Sequence, residues 1–149
     1  MNKLTMNEKK FLKLHSSDDN TVIIVRVDEI ILIYTDTADG NKVTTVYLDN
    51  ESIEAITVNE TPEKIYQFIL DINNADFVKL HSSDDNAVIV INTECVALIC
   101  QTDNGGKKYT TMYFNNDSVE SVTFNESPER IYQMIEDTID AKIAKENKK

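Results

Sequence analysis

One stretch of this sequence occurs twice, and the repetition limits what the chain can fold into. Phe11-Leu12-Lys13-Leu14-His15-Ser16-Ser17-Asp18-Asp19-Asn20 returns almost unchanged as Phe77-Val78-Lys79-Leu80-His81-Ser82-Ser83-Asp84-Asp85-Asn86. The alignment runs without a gap from 11–71 onto 77–137 and holds 31 identities in 61 positions. Chance does not produce that agreement, so the sequence is a tandem duplication. At 149 residues it would otherwise suit one average domain. Copies of about 65 residues have marginal cores when alone, because small bodies have a high ratio of surface to volume. The copies are therefore expected to pack on each other or on further copies.

The hydrophobic period places the elements. Residues 11–15 alternate, with Leu12 and Leu14 on one face, and predict a short strand. Residues 16–20 have no apolar member and are rich in turn formers, which predicts a hairpin loop. Further strands are expected near 21–27, 30–35, 42–48 and 52–58. The third of the five is apolar on both faces, as a strand covered on both sides would be. Thr61-Pro62-Glu63 then has the chemistry of a helix start, and Ile65, Ile69 and Ile72 form one stripe. The second copy repeats each step, with strands near 77–81, 87–93, 96–101, 108–114 and 118–124. Its helix opens at Ser127-Pro128-Glu129 and carries Ile131, Ile135, Ile139 and Ile143 as one stripe. The expected fold is α+β and mostly β. It comprises two tandem β-β-β-β-β-α units, each a small antiparallel meander or barrel capped by its C-terminal helix, related by a pseudo-twofold. The expected divisions are a flexible arm at 1–10, units at 11–72 and 77–137, a linker at 73–76 and a helical extension at 138–149.

Charge narrows the partners. The net charge of −11 argues against direct nucleic-acid binding, which needs cations to displace phosphate counterions. It argues equally against an anionic membrane surface, and it suits a cytoplasmic protein or a basic partner. No apolar run has the length of a membrane span, and 1–10 lack the apolar core of a signal peptide. The two cysteines, Cys95 and Cys100, align with Glu29 and Tyr34 and so are not part of the repeated design. Placed on one strand they would face opposite ways, which disfavours a bridge.

The pattern resembles the flagellar and swarming motility protein FlbD family. The resemblance lies in a strand ending Lys-Leu, a polar turn, and Asn92-Thr93-Glu94-Cys95-Val96 after the next strand. It continues in a turn containing Gly and in Asn59-Glu60-Thr61-Pro62-Glu63 and Asn125-Glu126-Ser127-Pro128-Glu129 at the helix starts. It covers most of both copies through short motifs. It implies single small units without catalytic residues to carry over. Duplication departs from that pattern, and so does the apolar character of Ile31-Leu32 and Ala97-Leu98 in the third strands.

Three groups of residues are candidates for function. His15, Asp18, Asp19, His81, Asp84 and Asp85 lie on the matched loops and could form a mixed nitrogen and oxygen site if the loops met. Self-capped hairpin loops are the simpler reading, and no tight metal site or cofactor is expected. Thr45, Tyr47, Tyr109, Thr111 and Tyr113 form a sheet face suited to a partner strand or a ring. Ile31, Leu32, Leu98, Ile139 and Ile143 form a candidate association surface. There is no Gly-rich phosphate loop, no CxxC pair and no nucleophile elbow. The sequence thus predicts a non-enzymatic interaction or assembly module, with a protein partner that the charge would allow to be basic, and a homo-oligomer. The alternatives are an acidic inhibitor that mimics DNA toward a basic protein, and a small-ligand or metal binder at the paired loops.

Overall fold

The computed structural model describes residues 11–38, 40–72, 76–116 and 119–147, with Ala38 and 141–147 as backbone alone. The expected arm at 1–10, residues 73–75 of the expected linker and the side chain of Ile143 lie outside the described residues. The chain divides into two compact units, Met1–Asn74 and Ala75–Lys149. All strand pairs within the units are antiparallel, and each unit ends in a helix.

In the first unit β1 (Phe11–His15) and β2 (Val22–Arg26) form a hairpin. Alternation does what it predicts here: Leu12 and Leu14 turn inward and are buried, while Phe11 and Lys13 face out. A single turn of 3-10 helix at Val27–Glu29 leads into β3 (Ile30–Ala38), which pairs with β4 (Asn41–Leu48), and β4 pairs with β5 (Ala55–Val58). The loop of the first hairpin touches β5. Ser16 bridges to Val58, the Ser17 N–H donates to the Thr57 carbonyl at 3.1 Å, and the Asn59 N–H donates to the His15 carbonyl at 2.9 Å. These bonds join the two sheets of the unit along their β1 and β5 ends.

The helix α1 (Pro62–Asp71) packs against β3. The Thr61 hydroxyl caps it by accepting from the Lys64 N–H at 3.1 Å, and Pro62 occupies the first turn, where no N–H is needed. Ile65 and Ile69 are fully buried. Leu14, Val27, Ile33, Val46 and Val58 of the same unit are fully buried as well.

The second unit repeats the order with β6 (Phe77–His81), β7 (Val88–Asn92), a 3-10 turn at Thr93–Cys95, β8 (Val96–Asn104), β9 (Lys107–Phe114) and β10 (Val122–Phe124). The bulge after Ile30 recurs after Val96, and the bond from Asp49 N–H to the Glu29 carbonyl recurs from Asn115 N–H to the Cys95 carbonyl. The last helix, α2 (Pro128–Asn147), is twice as long as α1, at 20 residues against 10. It packs on β6 and β8. Along its stripe burial fades, from Ile131 fully buried, through Ile135 half-buried, to Ile139 exposed.

Several expectations need correction. The fifth strand is shorter than 52–58, because the Asn50 side chain accepts from the Ser52 and Ile53 N–H groups at 2.8 and 3.2 Å and removes both from the ladder. The third strands run past 35 and 101. Polar Asp36 and Thr37 pair with Val43 and Lys42, so solvated residues simply extend the hairpin. In the second unit the turn closes on Gly105-Gly106, both with positive φ, as a two-residue hairpin loop requires. Cys95 and Cys100 do not share a strand. Cys95 ends the 3-10 turn and is buried, Cys100 is on β8, and neither is in a disulfide. The third strand is covered on both faces only in the first unit, where Ile30, Ile31, Leu32 and Ile33 are all buried, whereas Leu98 of the second is exposed.

Candidate functional site

The repeated residues converge on one construction in each unit. His15 ends β1, and Glu60 stands just before α1, 45 residues later in the chain. The Glu60 carboxylate holds His15 twice: one oxygen accepts from the His15 backbone N–H at 3.0 Å, the other lies 2.7 Å from the ring Nδ1. His81 and Glu126 repeat both contacts at 3.0 and 2.6 Å. With the ring neutral, Nδ1–H donates to the carboxylate and Nε2 is left as the acceptor. Burial pushes the Glu60 carboxyl up, but the bonds from the His15 ring and backbone outweigh it and hold the group below its ordinary range.

Around this pair the polar loop is tied down. The Ser17 hydroxyl donates to the Thr57 hydroxyl at 2.7 Å, and the hydroxyls of Ser83 and Thr123 share a hydrogen bond in which either can donate. The Asn59 side chain donates to the Ser16 carbonyl at 3.3 Å and to Asn20 Oδ1 at 2.8 Å. Asn125 does the same to Ser82 and Asn86. Asn20 and Asn86 sit in the left-handed region at φ 62° and 60°, which asparagine tolerates better than most residues. Each loop is thus a clasp in which β1, β5 and the start of the helix are joined by side chains.

Two of the four loop carboxylates, those of Asp19 and Asp85, are spent on their own turns. Asp19 accepts from both the N–H and the hydroxyl of Thr21, and these bonds lower its pKa. Asp85 accepts from the Ala87 N–H at 3.1 Å. The Asp18 and Asp84 N–H groups donate to the hydroxyls of Ser16 and Ser82. Within a unit, His15, Asp18 and Asp19 therefore share a loop, as do His81, Asp84 and Asp85. Among the described residues no group of three or more His, Cys, Asp or Glu side chains is arranged to hold a metal ion. Titration with calcium or zinc is expected to give no stoichiometric heat. A stoichiometric signal that disappears in the double variant His15→Ala, His81→Ala would put a ligand at the loops.

The tyrosine and threonine positions divide between the units. In the first, Thr45 is buried and Tyr47 stacks on Tyr34, with ring centroids 5.8 Å apart and planes 20° apart. Burial and the Tyr47 hydroxyl raise the pKa of Tyr34. In the second, Thr111 is buried and bonded to the Thr102 hydroxyl, and Tyr109 is half-buried. Cys100 stands where Tyr34 does, so that ring partner is missing and Tyr113 is exposed. Of the candidate association surface, Ile31 and Leu32 are buried, while Leu98 and Ile139 remain exposed.

Neither a family model, nor a curated protein, nor a solved structure matches the chain. Among the described residues no helix is long and apolar enough to cross a membrane.

Sequence reasoning missed Glu60 and Glu126 as partners of the histidines, and Thr57 and Thr123 as partners of Ser17 and Ser83. A signal for them existed. Each pair keeps the same spacing in both copies and is identical in both. Residues that recur together in a diverged duplication are candidates for contact.

Proposed function

We propose that the chain is a non-enzymatic interaction or assembly module. The observation that carries this reading is the exposure of Leu98 and Tyr113, which stand directly opposite each other on β8 and β9. Cross-strand apolar pairs of this kind are the natural anchors of a protein contact. The histidine rings support the same reading from the other side: each is held by a carboxylate, while the neighbouring Ser17 and Ser83 hydroxyls are bonded to threonines. The clasp then serves to fix the loop rather than to activate a nucleophile. We read the two units as copies of one design, as their matched bonds suggest, in a cytoplasmic protein. The resemblance to the FlbD family agrees with a small module and adds no flagellar role.

The test is capture from host lysate with the full chain as bait, run beside Leu98→Lys and Tyr113→Lys baits. A stoichiometric protein, whether another copy or a different chain, that is retained by the native bait and lost with both variants supports the proposal. Equal recovery on all three baits, or none on any, defeats it.

A second reading follows from the net charge of −11. An acidic surface can occupy the nucleic-acid site of a basic protein. Its signature is a captured partner that is released by salt and by competing duplex DNA, and that is insensitive to Leu98→Lys.

A further inference from the structure

Asn104 is the one asparagine in the sequence that is followed by glycine. It ends β8 and pairs with Lys107 across a loop of two residues, Gly105 and Gly106, whose φ angles are 63° and 89°. Asn104 is exposed. Beside Gly105 the space is open: apart from its chain neighbours, no atom lies within 4 Å of where a Cβ would stand. The Asp103 carboxylate accepts from the Gly106 N–H at 3.2 Å. Among the described residues nothing bonds the Gly105 N–H or the Asn104 side chain.

Other asparagines of the fold are placed differently. The Asn59 and Asn125 amides donate within the clasps, and the Asn20 and Asn86 side chains accept from them. The Asn50 and Asn92 side chains accept backbone N–H groups. Each of these six is followed by a residue with a Cβ, which crowds the backbone nitrogen next to it. Asn104 alone joins a free carboxamide to an uncrowded nitrogen.

We infer that Asn104 is a site of self-modification, losing its amide through a cyclic imide closed on Gly105. The Gly105 nitrogen attacks Asn104 Cγ and gives up its proton. The N–Cγ bond forms, the Cγ–Nδ2 bond breaks, and ammonia leaves. Water then opens the five-membered imide. Attack at Cγ gives aspartate, and attack at the backbone carbonyl carbon gives isoaspartate, whose main chain runs through Cβ and Cγ. Water is the only co-reactant. The pair of Asn104 with Lys107 is the last of its ladder, and such ends open at little cost, which lets the side chain swing onto the nitrogen. The two products differ in consequence. Aspartate at 104 would face Lys107 as Asp103 already faces Lys108, a second cross-strand pair of opposite charge. Isoaspartate lengthens the main chain and ends the ladder one pair earlier. The matched residue in the first unit is Ala38, which has no amide to lose. The site needs no partner, so it stands whether or not the chain is an interaction module.

Ageing the full chain in mildly alkaline water enriched in heavy oxygen decides it. Opening of the imide writes the label into the product, and mass spectrometry of peptides made at acid pH locates it. Native protein is expected to lose the Asn104 amide, with label, before any other asparagine reacts. Asn104→Gln would need a larger ring and should take up no label over that time. Asn104→Ser, which has no carboxamide, repeats the control if circular dichroism shows Asn104→Gln to be unfolded. A parallel sample in urea gives the behaviour of the unfolded chain. The inference is overturned if Asn104 keeps its amide, if another asparagine reacts first, if label enters at Asn104 only in urea, or if the variant takes up label as fast as native protein.

Discussion

Phe124→Ala is expected to destabilise the protein by about 3–5 kcal/mol, the usual cost of emptying a large aromatic site in a packed core. Phe124 is fully buried on β10. Its neighbours make the effect local as well as global. The Thr123 carbonyl accepts from the Ser83 N–H, and the Asn125 N–H donates to the His81 carbonyl. The ring thus anchors the short strand from which the second clasp is built. For a domain held by about 5–15 kcal/mol, a loss of this size is a large fraction of the whole. Urea unfolding should show a lower midpoint for Phe124→Ala with little change in slope. Tyr132→Ala is the control, since its side chain is 63% exposed and its removal should cost within about 0.5 kcal/mol. Equal midpoints for the two variants would mean that Phe124 is not part of a packed core.

The fold was legible where one physical rule acts alone. Leu12 and Leu14 alternate with polar residues and are buried, so period two sufficed for β1. Thr61-Pro62 and the stripe of Ile65 and Ile69 sufficed for α1, because capping, proline and amphipathicity agree there. Legibility failed where a side chain competes with the ladder. Asn50 takes two N–H groups from the start of β5, and nothing in the alternation of 52–58 announces that. It failed again where polar residues extend a strand, since Asp36 and Thr37 look like a turn but sit in register with β4.

Burial between the copies was the least legible property. Leu32 and Leu98 are the same residue at the same repeat position with similar neighbours, yet one is buried and the other is exposed. Such a difference is set by what lies over the strand, which local sequence does not encode. The clasp had a different obstacle. His15 and Glu60 are 45 residues apart, beyond any helical or strand period, and only the shared spacing of His81 and Glu126 links them. The loops drew attention as a metal candidate because their residue types suit ligands. Their side chains instead satisfy the backbone of a tight turn, which is the commoner use of Ser, Asp and Asn between strands.

The clasp has a pH signature whose sign follows from Glu60. Its carboxyl titrates below the ordinary value of 4.5 in the folded protein, since burial raises it less than the two His15 bonds lower it. A group with a depressed folded pKa adds stability that is fully present above its unfolded pKa. That stability disappears as pH falls through the folded value. Native protein should therefore lose stability on acidification below about pH 4.5, where the unfolded chain takes up the proton first. Glu60→Gln cannot titrate, so its stability should fall less steeply over that window, and the gap from native should narrow as the pH is lowered. Near neutral pH Glu60→Ala should cost about 1.5–3 kcal/mol, the range for hydrogen bonds to a charged group, because the His15 N–H and ring both lose their acceptor. Glu63→Gln, on the exposed side of the first helical turn, serves as the control. Thermal melts of the four proteins from pH 3 to about pH 7 would test this, the upper limit being the range in which carboxylates are ionised. Parallel curves for native and Glu60→Gln would show that the carboxylate's charge does not hold the clasp.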